Sequence, residues 1–408
     1  MALSLIATPC RLPRCGIAWA IMPDSAIPQP ISPPISATAR PLYLGGEIYR
    51  HSSYGKKHPL SIPRVSVATD LVRAMGWLDE GAYIESPIAS AEQLARFHDR
   101  DYIAAVAQAE RDQRVDVAIA QLYGLGKLEN PVFPEMYRRP AIAAGAAILG
   151  ADLIRDGGIV YSPASGTHHA RPARASGFCF FNAPVLGILA LLDQGLDRIL
   201  YVDLDAHHGD GVQDAFHDDE RVLTVSVHEA GRWPYTGPLA DRAGGRARNL
   251  PMPRGLNDTE FRHVVEDAIV PLACAFRPQA MMIQTGADAL ADDPLSLLSL
   301  SNRALWQAVK DLVGLAPRTL VVGGGGYNPW SVGRAWAGIW AVLNGLDPAA
   351  PLSPAARDVL RGLTWDRREG RNPPSHWFDR LVDDPREGPV RAEVRDAIQH
   401  IAASIADL

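Results

Sequence analysis

The sequence contains few cysteines, no long apolar segment and no excess of positive charge. Only 4 of its 408 residues are cysteine, and no two of them form a CxxC pair. We therefore expect neither a disulfide framework nor a thiolate zinc site, and the cysteine content predicts a reducing cytoplasm. No apolar run reaches the roughly 18 residues that a transmembrane helix needs, so no membrane partner is expected. The net charge of −6 argues against nucleic acid as a partner.

The sequence does have enough apolar material for a large core, because 47% of its residues are hydrophobic. Residues 1–41, which become rich in Pro and Ser after Met22, are predicted to form a flexible leader. Met22 is an alternative start to Met1. We predict a main domain over 42–345 and a C-terminal helical extension over 346–408 that packs on the same domain.

The main domain alternates short β-branched runs with segments of helical length. This alternation is typical of an α/β fold in which crossover helices connect parallel strands. Ligands bind such sheets at the carboxyl ends of the strands, so the polar residues that follow each strand are the functional candidates. Strands are predicted at 42–44, 158–161, 198–203, 222–227, 280–284 and 319–322, and helices at 66–77, 91–109, 136–156, 182–196, 258–276, 301–315 and 329–344.

The strand predicted at 198–203 runs directly into a group of ionisable side chains between Asp203 and Asp210. Burying such groups is costly without charge compensation. Side chains repeat every two residues in an extended segment, so Asp205 and His207 point the same way. One carboxylate oxygen and one imidazole nitrogen on the same side offer two ligands to a divalent metal. The alternative is a helix N-terminus with acidic capping residues and solvated histidines.

A third ligand is expected at the end of another strand. The strand predicted at 280–284 is followed by Thr285-Gly286-Ala287-Asp288, which places Asp288 just past a buried run. Taken alone, Asp288 has an alternative role as the cap of the next turn. Two carboxylates and one imidazole leave Zn²⁺ formally neutral with one position open, as in catalytic sites. Mg²⁺ and Ca²⁺ prefer oxygen ligands and fit the histidine less well.

Two adjacent histidines, His168 and His169, follow the strand predicted at 158–161. Beside a metal site, such a pair can act as general base and electrostatic partner. Each imidazole then needs a carboxylate on its far nitrogen. Asp203 and Asp210 are left over from the metal motif and are available for that purpose.

Four consecutive glycines, Gly323 to Gly326, follow the last predicted strand and precede Tyr327. Glycines allow close backbone approach, and Tyr327 can direct its hydroxyl inward to stabilise an oxyanion. The alternative is a phosphate-binding loop. The sequence lacks the GK[ST] ending and the Rossmann glycine spacing that such loops require.

With these motifs in order, the sequence resembles the histone deacetylase family, especially its bacterial AcuC-like acetoin-utilisation members. The resemblance covers about residues 42–345. It implies a single-domain arginase/deacetylase fold in which helices flank a central eight-stranded parallel sheet. It also implies one catalytic Zn²⁺ per chain, with Fe²⁺ as the alternative, and a structural K⁺. The motifs are HHARPARASGFCFFN at 168–182, ILYVDLDAHHGDGVQDAF at 199–216, LTVSVHE at 223–229, QTGADALADDP at 284–294 and GGGGYN at 323–328.

The resemblance also implies a role for each residue of the site. For catalysis it implies His169 as general base and acid oriented by Asp210, His168 as electrostatic partner oriented by Asp203, and Tyr327 as oxyanion donor. For the zinc ion it implies the ligands Asp205, His207 and Asp288. For the substrate tunnel it implies Gly177, Phe178, Trp233, Leu295 and Gly325, with Arg64 near the inner channel. For the monovalent cation it implies Asp203, Ser226 and the backbone carbonyls of Asp205, His207 and Val227.

The implied reaction is hydrolysis of the N-acetyl amide of lysine side chains, with release of acetate. The expected substrate is an acetylated protein or peptide, for example an acyl-CoA synthetase. The alternative is a small acylated amine such as an acetylpolyamine. Leu295 argues against it, because it stands where polyamine-selective relatives have an acidic residue. At the rim position where the family often has an acid, this sequence is expected to have Arg100, which weakens the case for recognition of a peptide backbone.

Two further alternatives remain at this point. A ureohydrolase of the same fold with two Mn²⁺ ions needs additional carboxylates, whereas Asp288 is followed by Ala-Leu. A non-catalytic acyl-lysine-binding module needs no catalytic side chains, whereas every catalytic position is filled here.

Overall fold

The computed structural model describes residues 40–408, so nearly all of the predicted leader lies outside the described residues. The first strand begins at Leu42, where the sequence predicts the folded part to begin. Within this described part of the chain, no helix combines the length and the apolar character needed to cross a membrane.

The centre of the molecule is an eight-stranded sheet in which every neighbouring pair of strands is parallel. The strands are β1 (Leu42–Gly45), β2 (Tyr83–Glu85), β3 (Gly158–Ser162), β4 (Ile199–Asp203), β5 (Val222–Glu229), β6 (Ala247–Met252), β7 (Ala280–Gln284) and β8 (Arg318–Val322). Their order in the sheet is β2-β1-β3-β8-β7-β4-β5-β6. The predicted α/β class with a central eight-stranded parallel sheet is confirmed.

Helices cover both faces of this sheet. In the described residues they are α1 (Ile48–His51), α2 (Val65–Ala74), α3 (Ala91–Leu94), α4 (Arg100–Asp112), α5 (Val117–Tyr123), α6 (Arg138–Leu153), α7 (Ala183–Leu192), α8 (Asp210–Ala215), α9 (Asp258–Val264), α10 (Val270–Phe276), α11 (Asn302–Leu312), α12 (Pro329–Leu343), α13 (Pro354–Arg361), α14 (His376–Asp379) and α15 (Ala392–Ala403). A π-helical turn at Val265–Ile269 joins α9 to α10.

The two faces of the sheet belong to two different cores. On β4, Leu200 and Val202 pack in the core that also contains residues of α2, α11 and α12. Ile199 and Tyr201 point to the other face, into the core that contains residues of α6 and α7. This alternation follows from the two-residue repeat of a strand. Because both faces are covered, the central strands are apolar throughout rather than alternating with polar residues.

The differences from the sequence prediction lie at the edges of the fold. Both edge strands, β2 and β6, are missing from the prediction. β2 has only 3 residues, and β6 contains Pro251, whose missing N–H is tolerated on an edge strand. The prediction of a single helix over 91–109 is wrong. This segment is divided into α3 and α4 because Asp99 has an extended backbone, with ψ of 137°, and begins the second helix.

The C-terminal residues pack against the same body as the sheet. Helix α13 packs on α2, and α15 packs along β6 and the segment that joins α9 to α10. The buried Arg248 of β6 donates from Nε to Ser404 Oγ at 2.7 Å. The division at residue 345 into a catalytic domain and an extension stays a prediction.

Candidate active site

The predicted metal ligands, the histidine pair and Tyr327 follow the carboxyl ends of four neighbouring strands, β3, β8, β7 and β4. The segments that follow these strands are 163–169, 323–327, 285–288 and 204–210. Parallel strands end at one edge of the sheet, so segments that are far apart in the sequence come together there.

Asp205, His207 and Asp288 form a buried cluster with the geometry of a metal site. One ligand atom from each lies within 4.8 Å of the others. His207 Nδ1 lies 2.8 Å from Asp288 Oδ2 and 3.2 Å from Asp205 Oδ1. The Gly325 N–H donates to Asp205 Oδ2 at 2.6 Å. The Ala206 N–H donates to Asp288 Oδ1 at 3.0 Å, so main-chain groups orient both carboxylates.

The charges of this cluster favour a bound cation. Burial raises the pKa of Asp288, and the negative charge of Asp205 acts in the same direction. Burial lowers the pKa of His207, but hydrogen bonds to the two carboxylates outweigh that effect and raise the pKa to about 10. A divalent cation displaces this proton when it binds. Two carboxylates and one imidazole suit Zn²⁺ or Fe²⁺, so the residues fit the predicted metal.

His168 and His169 lie side by side, and each is held by its own carboxylate. Their ring centroids are 3.9 Å apart. His168 Nδ1 lies 2.7 Å from Asp203 Oδ2, and His169 Nδ1 lies 2.7 Å from Asp210 Oδ1. Both contacts use Nδ1, so Nε2 of each ring is not needed to hold the ring in place.

The two histidines differ in their tendency to hold a proton. Burial lowers the pKa of His168, but the carboxylates of Asp203 and Asp205 outweigh it and raise the pKa to about 9. Burial, together with the charge of His168, lowers the pKa of His169 to about 4. At neutral pH His168 is therefore charged and His169 neutral, which suits an electrostatic partner and a general base.

Two residues that the sequence analysis missed hold the orienting carboxylates. The Tyr201 hydroxyl donates to Asp203 Oδ2 at 2.7 Å. Arg171 donates from Nη2 to Asp210 Oδ2. The signal for Tyr201 is its position two residues before Asp203 on the same strand, which puts both side chains on one face.

Tyr327 is buried at the end of the glycine run. Its ring lies edge-on to Phe178 with centroids 5.7 Å apart, and its main-chain N–H donates to Asp293 Oδ2 at 2.6 Å. Burial raises the pKa of the phenol well above its ordinary value, so the hydroxyl keeps its proton and can donate it in a hydrogen bond. In the same run, a Cβ on Gly325 would collide with the Asp288 carboxylate, which explains the need for glycine.

An outer cavity of about 340 Å³ leads to these residues. Four of the five predicted tunnel residues line it, namely Gly177, Phe178, Trp233 and Leu295, whereas Gly325 lines a second, inner cavity. His169, His207 and Tyr327 line both cavities and so lie where the two meet. The Trp233 ring packs against His169 with centroids 4.7 Å apart, which narrows this junction.

The rim of the outer cavity has an acidic residue that the sequence analysis missed. Glu129 and Arg232 both line the cavity, and Glu129 accepts a hydrogen bond from the Gly177 N–H. The expectation that Arg100 occupies this rim position is wrong, because Arg100 begins α4, is exposed and is not among the lining residues. The contact between Glu129 and Gly177 spans 48 residues of sequence, so no local sequence pattern predicts it.

The inner cavity has a volume of about 70 Å³ and contains two arginines. Arg64, which the resemblance places near the inner channel, donates to the Gly324 carbonyl. Its guanidinium carbon lies 4.9 Å from the Trp336 ring centroid and 5.9 Å from that of Tyr327. The second arginine, Arg139, carries no signal in the sequence motifs.

The two side chains predicted to bind a monovalent cation are neighbours. Asp203 and Ser226 are register partners on β4 and β5. Ser226 Oγ also lies 3.0 Å from His228 Nδ1 and 3.4 Å from the Gly209 nitrogen. Binding of K⁺ here, with the carbonyls of Asp205, His207 and Val227, stays a prediction.

Comparisons with known proteins agree on one relationship. The family model for the histone deacetylase domain matches residues 58–343. Acetoin utilization protein AcuC of Bacillus subtilis is 32% identical over 352 residues, which cover 83% of this chain and 89% of that protein. Histone deacetylase 8 of Xenopus tropicalis is 34% identical over 290 residues, or 69% of this chain and 78% of that protein. A crystal structure of an HDAC homolog complexed with SAHA superimposes with a TM-score of 0.85 at 35% identity and covers 89% of this chain and 100% of that chain.

Proposed function

This chain belongs to the histone deacetylase family and is an amide hydrolase, and from that premise we propose that it is a zinc-dependent lysine deacetylase. The proposal rests on one observation. A metal-ligand cluster, a neutral histidine and a protonated tyrosine lie together where a tunnel meets an inner cavity. A lysine side chain is long enough to carry its acyl group through such a tunnel to the buried metal ligands and the histidine.

The metal would be held by Asp205, His207 and Asp288. When bound, a divalent cation there supplies Lewis acidity that polarises the acyl carbonyl and makes water more acidic. The hydrogen bonds from Gly325 and Ala206 fix the carboxylates before the metal arrives. This preorganisation keeps the ligand set in place during the reaction.

His169 is the proposed general base. With its pKa lowered to about 4, it is neutral and can accept a proton from the attacking water. The Asp210 carboxylate, 2.7 Å from His169 Nδ1, stabilises the imidazolium that forms. The proton then passes from His169 Nε2 to the leaving amine nitrogen. His168 stays charged throughout and lowers the energy of the negative charge that develops beside it.

Tyr327 is the proposed oxyanion donor. Its hydroxyl remains protonated and donates to the carbonyl oxygen as that oxygen becomes negative. Trp233 and Phe178 line the tunnel above it and exclude water from the lysine stem.

Lysine is favoured over an acetylpolyamine by the residue at the tunnel mouth. Leu295 lines the outer cavity and, unlike an acidic residue at the same position, offers no charge for a second ammonium group. Glu129 at the rim can accept hydrogen bonds from a peptide backbone. An acetylated protein in the cytoplasm, such as an acyl-CoA synthetase, is the proposed partner. A structural K⁺ is proposed to bind beside Asp203.

The proposal is tested by acetate release from a fluorogenic acetyl-lysine peptide, measured beside acetylspermidine with the Zn²⁺-loaded protein. We expect turnover of the peptide and at least tenfold weaker turnover of acetylspermidine. Turnover of the polyamine alone would overturn the choice of lysine. If the metal-loaded protein hydrolyses neither substrate, the proposal that it is a deacetylase is overturned.

A further inference from the structure

Two guanidinium groups face the inner cavity, and neither has a carboxylate partner in the part of the chain that the structure describes. Arg64 and Arg139 both line the cavity. Arg64 donates to the Gly324 carbonyl, and Arg139 donates from Nη1 to the Ser52 carbonyl at 2.8 Å. Neutral carbonyls do not compensate the charge of an arginine. Two positive charges that line one cavity disfavour each other unless an anion joins them.

Arg139 is fixed in position by two aromatic rings. Its guanidinium carbon lies 5.2 Å from the Tyr49 ring centroid and 5.5 Å from that of Tyr54. The Tyr54 hydroxyl donates to the Phe178 carbonyl at 3.0 Å, which anchors one ring to the tunnel wall. Cation–π contacts hold the guanidinium in place and leave most of its N–H donors available. The half-buried side chain is therefore held in a preorganised position.

Arg64 supplies an unsatisfied donor to the same space. Its Nε is buried without a hydrogen-bond partner among the described residues. Burial lowers the pKa of Arg64, and the positive charge of Arg139 adds to that effect, whereas Tyr327 and Asp288 oppose it. An anion between them would pair with both charges and satisfy the free N–H.

The cavity begins where the acyl group of a substrate must lie, because His169, His207 and Tyr327 line it. A volume of about 70 Å³ holds roughly five water-sized groups, at about 10–15 Å³ of such volume for each. While it is attached to lysine, an acetyl group ends in a methyl, which cannot pair with a guanidinium group; only the released acetate can. A succinyl group adds two carbons and two oxygens to an acetyl group, which the cavity can hold.

We propose that Arg64 and Arg139 form a subsite for a carboxylate at the far end of the acyl group, so that the substrates include lysines carrying succinyl or glutaryl groups. The inference rests on the proposed function and names its acyl class. Hydrolysis is unchanged: water gives its oxygen to the carbonyl carbon, the C–N bond breaks and a proton passes to the amine nitrogen. The products are the dicarboxylate and free lysine.

The test compares kcat/KM for three peptides that differ only in the acyl group on lysine, which is acetyl, butyryl or succinyl. Butyryl has the carbon number of succinyl but no carboxylate, so it controls for length. We expect the Zn²⁺-loaded protein to prefer succinyl to butyryl by at least about tenfold, as charge-assisted hydrogen bonds predict. Arg139→Gln should lower the succinyl-to-butyryl ratio by about 10–100-fold, and Arg139→Lys should restore part of it.

A matched control is the neighbouring Arg138, which is exposed, pairs with Glu110 and lines neither cavity. Arg138→Gln should leave the succinyl-to-butyryl ratio unchanged. A second readout does not need catalysis: succinate should raise the melting temperature of the metal-free protein more than butyrate does, and Arg139→Gln should abolish the difference.

Acetyl turnover separates the two proposals. If the acetyl peptide is hydrolysed but succinyl is no better than butyryl, the subsite is wrong and the deacetylase stands. If no acyl peptide is hydrolysed, the deacetylase is wrong, and the melting experiment alone decides the subsite. If succinate and butyrate then raise the melting temperature equally, the proposed carboxylate subsite is overturned.

Discussion

At the residue scale, neighbouring charges decide what a side chain can do. His168 and His169 are adjacent and of the same type, yet their pKa values are about 9 and about 4. Both rings are buried, so the difference comes from the carboxylates beside His168 and from the effect of its charge on His169. The sequence alone identifies the pair. The family resemblance assigns His169 as the base, and the direction of its pKa supports that assignment.

Tyr327→Phe tests the oxyanion donor. We expect kcat to fall by about 10²–10³-fold with little change in KM, because the lost hydrogen bond forms mainly in the transition state. Steady-state kinetics on the acetyl-lysine peptide measure this effect. Tyr137→Phe is a suitable control, since Tyr137 lines neither cavity and should keep normal kinetics. Undiminished kcat in Tyr327→Phe would remove this role.

Gly325→Ala tests the packing of the metal cluster. A Cβ at this position would collide with the Asp288 carboxylate and displace a ligand. We expect metal affinity to fall by at least about tenfold, as for other changes that disturb ligand orientation. A competition titration against a zinc chelator measures it. Gly81→Ala, where an added Cβ has nothing within 4 Å, should bind metal normally.

At the element scale, the sequence predicts the strands that are buried on both faces of the sheet. The strands that enter the two cores are continuous apolar runs, and the loops after them carry the motifs, so both could be predicted. The edge strands β2 and β6 could not, because one is short and the other contains Pro251. Glu129 and Arg139 were missed for a related reason. Each reaches its cavity through contacts with distant segments rather than through a local pattern.

The segment before α15 is held to α12 by a buried ion pair, which gives a prediction for stability. Arg334 of α12 is fully buried and pairs with Asp383 at 2.6 Å. Asp383→Ala leaves this guanidinium without compensation and should lower the free energy of unfolding by about 3 kcal/mol. Urea denaturation measures the change. Asp384→Ala removes the neighbouring surface carboxylate and should have far less effect, and similar losses in both variants would contradict the argument.

At the scale of the whole molecule, the candidate active site is assembled from segments that the sheet brings together, so stability and site geometry depend on the same long-range contacts. His98 is one of these contacts. Its Nε2 accepts from the Asn182 N–H at 2.9 Å, and its Nδ1 lies 3.1 Å from the Arg171 carbonyl. It therefore joins the start of α4 to the segment that carries the histidine pair.

This contact predicts a dependence of stability on pH. Burial lowers the pKa of His98 from 6.5 to about 4, so the unfolded chain binds a proton that the folded chain excludes. The stabilisation is complete above pH 6.5 and is lost as the pH falls towards 4, by roughly 3 kcal/mol. In His98→Gln, the urea midpoint should fall less steeply between pH 7 and pH 5. An identical slope in the two proteins would refute this explanation.

The central claim is that one divalent metal, held by Asp205, His207 and Asp288, makes this chain a deacetylase. The most direct measurement is acetate release from the acetyl-lysine peptide by metal-free protein during titration with Zn²⁺. We predict that activity rises linearly and stops rising at about one Zn²⁺ per chain, and that Asp288→Asn abolishes this tight, saturating response. Full activity before metal is added, or the same titration curve in Asp288→Asn, would contradict the account.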